Sequence, residues 1–278
     1  MPLVTLNEVL PEARAAKRAV CAFNVVNTES TAAVIAAAEL ERQPVIVQVY
    51  HRLFTTQKAG CMAALVRHMA AHARIPVVLH LDHGQALEQI AMAVEYGFTS
   101  VMFDGSRLPF SENIEATRKA VRIAHRAGLA IEGEIGSIPA ADSESVCLST
   151  PEEAIAFSQR TGVDALAVAV GTAHGFYKRE PVIDLELAER ISQTVPIPLV
   201  LHGGSGTPLP TIRTLIRTGF AKLNIATELH AAFLDAVQRE SAKRQGAFLA
   251  IDLFMEPVTE TLTELARKRI RLCAGTDA

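Results

Sequence analysis

The chain has 278 residues, of which 49% are hydrophobic, and 30 acidic against 27 basic side chains leave a net charge of −3. That length and apolar share suit one domain over residues 1–278 with a sizeable core, since an α/β barrel needs about 250 residues. The charge balance supplies no basic face for nucleic acid or an anionic membrane, and no run of about 18 apolar residues marks a membrane span.

Along the chain, short apolar runs alternate with helical patterns, and this alternation predicts βαβ units with a parallel sheet. The predicted strands cover 20–24, 45–49, 77–81, 100–104, 130–134, 165–170, 199–201 and 222–225. Turn residues such as Pro44, Pro76, Gly97, Gly128, Gly162, Pro198 and Gly219 bound them. Thr28 or Ser30 is a candidate cap for a helix through Leu40, and Ser111 for one through Ala127. Thr150-Pro151-Glu152-Glu153 puts Pro at a first helical position with acids in the first turn. The segment 136–149 reads as a long non-periodic loop, and 257–272 as a final amphipathic helix. Eight such units predict a closed (β/α)8 TIM barrel with an additional C-terminal helix. An open doubly wound sheet is the alternative, but no GxGxxG follows the first strand.

Cys21, Cys61, Cys147 and Cys273 match neither a zinc ribbon nor a CxxC pair. They read as buried or neutral thiols of a protein in the reducing cytoplasm.

Barrel chemistry sits at the C-terminal ends of strands. Here those ends carry Asn24, Asp82-His83, Asp104, Glu132-Gly133-Glu134, His174-Gly175, His202-Gly203-Gly204-Ser205-Gly206 and Asn224-Ile225-Ala226-Thr227. His83, His174 and His202 lie on three strand ends that can converge, and three neutral imidazoles with an open position suit a catalytic zinc. The remaining histidines, including His80 in mid-strand, read as structural or surface groups. The Gly-rich turn after His202 and the helix start at Ala226-Thr227 expose backbone N–H groups, which suits a phosphate.

These motifs together resemble the class II fructose-bisphosphate and tagatose-bisphosphate aldolase family over nearly the whole chain. Ala22-Phe23-Asn24-Val25, His80-Leu81-Asp82-His83-Gly84, Gly171-Thr172-Ala173-His174-Gly175, Leu201-His202-Gly203-Gly204-Ser205-Gly206 and Asn224-Ile225-Ala226-Thr227-Glu228 carry the likeness. The resemblance implies a lyase releasing dihydroxyacetone phosphate from a phosphorylated ketose, with Zn2+ on His83, His174 and His202. It implies that Glu134 is an alternative metal position and Asp104 supports the metal site. Asp82 becomes the acid that exchanges a proton with the substrate C4 oxygen. Gly175, Gly203, Ser205, Ala226 and Thr227 become the phosphate cradle, and Asn224 and Asn24 orient the dihydroxyacetone moiety. It also implies a homo-oligomer, dimer or tetramer, and allows a Na+ or K+ ion. A Schiff-base mechanism would need a desolvated lysine at a strand end, and Lys222 begins its predicted strand instead.

Three departures stand out. The loop 136–149 lacks the family's Gly-Gly-Glu-Glu/Asp-type string, leaving Asp142 or Glu144 as candidates for proton transfer at C3. The segment 246–256 lacks the arginine that holds a distal phosphate, and Tyr50 replaces a small hydroxyl residue. These losses suggest a ketose 1-phosphate ending in hydroxyl or carboxylate as an alternative substrate. A non-catalytic barrel subunit of an aldolase complex, and a metal-dependent epimerase or hydrolase, are the competing classes.

Overall fold

The computed structural model of the protein describes residues 3–138, 147–177, 181–244 and 246–276. Its strands are β1 (Val20–Asn24), β2 (Val45–Tyr50), β3 (Val77–Gly84), β4 (Ser100–Phe103), β5 (Ala130–Ile135), β6 (Ala165–Val168), β7 (Leu199–Leu201) and β8 (Phe220–Ile225). They pair in parallel in sequence order, and β8 pairs back to β1 to close the barrel. Helices after the strands clothe the outside, so the strands are buried on both faces and read as apolar runs. This covering ring is α2 (Thr28–Glu41), α3 (Lys58–His72), α4 (Leu87–Tyr96), α5 (Phe110–Arg126), α6 (Pro151–Thr161), α7 (Leu185–Thr194), α8 (Leu209–Thr218) and α9 (Thr227–Lys243).

Two helices flank the ring in sequence, α1 (Leu6–Ala15) and α10 (Ile251–Ala274). The first was not expected. Its Leu6, Val9, Leu10 and Ala13 lie on one helical stripe and join Val20, Ile46, Val78 and Val200 in a second cluster inside the barrel, plugging its N-terminal end. The second begins six residues before the expected Pro257, which sits inside the helix. Proline denies the backbone one N–H, but Leu253, the residue one turn earlier, is half exposed, so its carbonyl can turn to water. α10 is held to α2 by Arg267 and Arg271, whose Nε atoms lie 2.7 and 2.8 Å from the two carboxylate oxygens of Glu41.

Helix starts follow side-chain chemistry. Asn27, rather than Thr28 or Ser30, caps α2, its Oδ1 accepting from the Ser30 N–H at 3.0 Å. Ser111 does not cap α5, because Pro109 takes the cap position two residues earlier and the helix begins at Phe110. At α6 Pro151 opens the helix as expected, and Thr150 caps it, reciprocated by Glu153. Cys21 and Cys273 are buried with their sulfurs 3.1 Å apart, whereas Cys61 and Cys147 are exposed.

Candidate active site

In a regular strand Asp82 and His83 would point to opposite faces. Instead His83 has φ 53°, and the β3–β4 register shifts between Leu81 and Gly84. This bulge re-aims the chain, so both side chains line one cavity of about 640 Å³ at the C-terminal mouth of the barrel. The next residue is glycine for space: a Cβ at Gly84 would lie 2.7 Å from the Met102 carbonyl oxygen.

His83, His174 and His202 meet there, with one ligand nitrogen from each within 4.8 Å of the others. Hydrogen bonds choose which nitrogens face inward. His83 Nδ1 lies 2.8 Å from Asp104 Oδ2, while Nε2 faces His202 Nδ1 at 3.1 Å. Asp104 is itself fixed, accepting from Ser106 N and Oγ at 3.1 and 2.7 Å. On the other side, His202 Nε2 lies 2.8 Å from Glu132 Oε1, and Lys222 Nζ donates to Glu132 Oε2 at 2.6 Å. His80 completes this buried layer, with Nδ1 2.8 Å from Ser100 Oγ and Nε2 3.4 Å from Lys222 Nζ.

His83, Asp104 and Glu134 form a second group able to hold a metal. Among the described residues Glu134 Oε2 is buried without a hydrogen-bond partner, 3.4 Å from His202 Nδ1. A buried carboxylate oxygen without a donor is costly unless a cation joins it. With three imidazoles beside it, the donor set fits a divalent metal of zinc's type.

The local field says the same. Burial opposes the His83 imidazolium, but Asp82 and the Asp104 hydrogen bond outweigh it and raise its pKa to about 10. The cluster therefore favours positive charge at this point. Burial lowers His174 to about 3 and also lowers His202, so these rings are neutral, ligand-ready imidazoles. Burial, aided by the Asp104 charge, pushes the Glu134 carboxyl well up. Burial also opposes ionisation of Asp82, yet His83, His202, Lys222 and the Asn24 hydrogen bond hold its pKa below the usual value.

Asp82 is held from two sides. Asn24 Nδ2 donates to Oδ2 at 2.7 Å, and Asn224 Nδ2 approaches Oδ1 at 3.4 Å. Asn24 Oδ1 accepts from Gln48 Nε2 at 3.0 Å, so both ends of the Asn24 amide are engaged within the protein. Asn24 lines the cavity, as expected of a residue that orients substrate, and its amide also supports Asp82. Asn224 Oδ1, in contrast, is buried without a partner among the described residues.

Gly175, Gly203, Ser205, Ala226 and Thr227 line the same cavity, as do Asn24, Asp104, Glu134, His174 and Asn224, while His202 lies fully buried among them. Gly203 has φ 71°, and a side chain there would collide with the Ala173 carbonyl. Gly204 N donates to Asn224 O at 3.2 Å and Glu228 N to Ser205 Oγ at 3.2 Å, locking the turn against the start of α9. That helix directs its N-terminal dipole end at the cavity.

Five residues gain roles at the site that the sequence reading did not give them. Glu132 and Lys222 are wholly buried, and each is a charged residue two positions before a site residue on the same strand face, which was the available signal. Lys222 is mid-barrel and ion-paired, not at the start of β8. His230, expected to be structural or on the surface, lines the cavity and lies 3.1 Å from Asn24 O through Nε2. Arg52 and Arg107 also line it. Asp142 and Glu144 fall in 139–146, outside the described residues.

A family model described as fructose-bisphosphate aldolase class-II matches residues 4–278. The chain belongs to the class II fructose-bisphosphate aldolase family. It is 37% identical over 281 residues to a probable fructose-bisphosphate aldolase of Bacillus subtilis (strain 168), covering 98% of this chain and 97% of that one. It is 40% identical over 253 residues to the fructose-bisphosphate aldolase of Geobacillus stearothermophilus, covering 87% of each. Its fold is similar to that of the YdjI aldolase from Escherichia coli K12, with TM-score 0.88, 34% identity and 99% and 98% of the two chains covered. As a class II aldolase the protein is a lyase, and the family acts on phosphorylated sugars. The epimerase, hydrolase and non-catalytic readings are not favoured by these relatives. No helix among the described residues is long and apolar enough to cross a membrane.

Proposed function

We propose that this class II aldolase holds zinc on His83, His174 and His202 and reversibly cleaves a ketose 1,6-bisphosphate, fructose 1,6-bisphosphate first. The products are dihydroxyacetone phosphate and glyceraldehyde 3-phosphate. The observation that carries the reading is three imidazole donors within 4.8 Å of one another beside a buried, ionised-biased Asp82.

Bound zinc would supply Lewis-acid stabilisation of the negative charge that C3–C4 cleavage leaves on the ketose C2 oxygen. Asp82 takes the C4 hydroxyl proton as the C4–O bond becomes a carbonyl, and returns it in the condensation direction, while C3 takes its proton from a second acid, for which Asp142 and Glu144 are the candidates. Asn24 holds Asp82 in position. Asn224 Oδ1, lacking a partner among the described residues, accepts from a hydroxyl of the dihydroxyacetone half. Gly175, Gly203, Ser205, Ala226 and Thr227 hold the 1-phosphate, so that remote binding fixes the reacting geometry. Asp104 orients His83, and Glu134 offers a second carboxylate position for the metal.

A ketose 1-phosphate without a distal phosphate is the second reading, favoured by the absence of arginine from 246–256. Arg52 and Arg107 at the cavity weaken that ground. The reading extends to a cytoplasmic homo-oligomer, dimer or tetramer, supported by Phe248 (92% exposed) and Ile251 (78%) near the start of α10. It also includes a Na+ or K+ ion as an activator, tested by replacing both with a bulky organic cation.

The test is cleavage of fructose and tagatose, each as 1,6-bisphosphate and 1-phosphate, by zinc-loaded protein with a chelator control. Chelator-sensitive release of dihydroxyacetone phosphate supports the reading. Release that survives full metal removal, or none from any substrate, sinks it.

A further inference from the structure

The ring order of an eight-stranded barrel sets β4 across from β8, and β2 across from β6. The proposed phosphate cradle follows β7 and β8. Arg52 follows β2 in a 3-10 turn (His51–Thr55), and Arg107 lies four residues past the end of β4. Both line the cavity that holds Asp82 and the cradle residues. Both are exposed, and among the described residues neither makes an ion pair with a carboxylate.

Tyr50 ties these cations to the reacting end. It is opposite Asp82 in the β2–β3 register, and its ring centroid is 6.0 Å from that of His83. The Arg52 guanidinium carbon stands 4.9 Å from the Tyr50 ring centroid, a cation–π contact that presets its direction. The Tyr50 hydroxyl feels the charges of both Arg52 and Arg107, which places the two on its side of the cavity. A substrate anchored in the cradle and reacting beside Asp82 thus has its aldehyde half on the side of two guanidinium groups that have no carboxylate partner among the described residues. Planar guanidinium forks are suited to bidentate contact with carboxylate or phosphate oxygens.

We propose that Arg52 and Arg107 form a distal-anion subsite that selects ketose 1-phosphates whose far end is itself an anion, phosphate or carboxylate, over those ending in hydroxyl. This rests on the aldolase reading above. It assigns the anion to side chains at the ends of β2 and β4, in a chain whose 246–256 segment has no arginine.

The experiment compares zinc-loaded wild type with Arg52→Ala, Arg107→Ala, the double variant and Arg52→Lys. The substrates are fructose 1,6-bisphosphate, fructose 1-phosphate and a 1-phosphoketose ending in carboxylate. Wild type is expected to prefer the anionic ends, and each alanine variant to lower that kcat/KM preference by about tenfold or more, as for a lost charge-assisted hydrogen bond. The lysine variant should retain most of the preference. Product inhibition gives an independent readout. In the alanine variants glyceraldehyde 3-phosphate should weaken as an inhibitor, while the constant for dihydroxyacetone phosphate moves by no more than roughly threefold. The two anionic substrates separate a phosphate from a carboxylate source. Dihydroxyacetone phosphate release with no anion preference, or alanine variants that lower all substrates equally, overturns the subsite alone. No release from any substrate overturns the aldolase reading with it.

Discussion

Two tiers of polar side chains run along the barrel axis, and they differ in whether their hydrogen bonds close. In the lower tier, Lys222, Glu132, His80 and Ser100 are wholly buried and satisfy one another, ending on His202. In the upper tier, Asp82, Glu134 and Asn224 are buried too, yet Glu134 Oε2 and Asn224 Oδ1 have no partner among the described residues. Buried polar atoms are nearly always paired, so the open ones on residues that line the cavity mark where a ligand completes the structure, whereas Gln48 Oε1 and Thr172 Oγ1 are open on residues outside it. The closed tier is a platform that fixes ring orientation, and the open tier is the site.

This contrast predicts which changes cost activity and which cost stability. The largest effect is expected from metal removal. Stripping with a chelator, or His83→Ala, should reduce cleavage by at least about a thousandfold, and zinc should restore only the stripped wild type. A zinc-free protein with full activity would break the comparison at its centre. Next, Asp82→Asn should lower kcat by about 10²- to 10⁴-fold, the usual span for a general acid–base group, with the thermal midpoint little changed. A large loss of stability with an unaltered kcat would move Asp82 into the platform.

The lower tier should respond in the opposite sense. Lys222→Met leaves the Glu132 charge buried with its main partner gone, at a cost of about 3–5 kcal/mol by chemical denaturation. Adding Glu132→Gln should recover part of it. Additive losses in the double variant would show that the two do not act as a pair. Smallest of all, Glu134→Gln should change stability by less than about 1 kcal/mol, because burial already disfavours the charged carboxylate and Oε2 has no partner among the described residues, while activity falls. A loss as large as that of Lys222→Met would mean that Glu134 belongs to the platform.

The same contrast explains what could be read in advance. Strands buried on both faces are short apolar runs between turn residues, so β1 and β7 match the expected bounds and the others differ by a few residues. The histidines were legible because they end such runs beside Gly-rich turns. α1 was not, since its stripe is short and Pro11 interrupts the pattern. Glu132 and Lys222 stand 90 positions apart, and only barrel closure makes them a pair. Arg52 and Arg107 look like ordinary solvated charges until the topology turns them toward one cavity.

What the sequence by itself determined is therefore the period of alternation, the residue types at strand ends and the capping chemistry, all of which act over a few residues. Only the tertiary structure decided which imidazole nitrogen faces inward, which buried oxygens stay open and which distant charges meet. Those depend on strand register and ring closure, which arise from the simultaneous burial of every strand and are not encoded in any one segment.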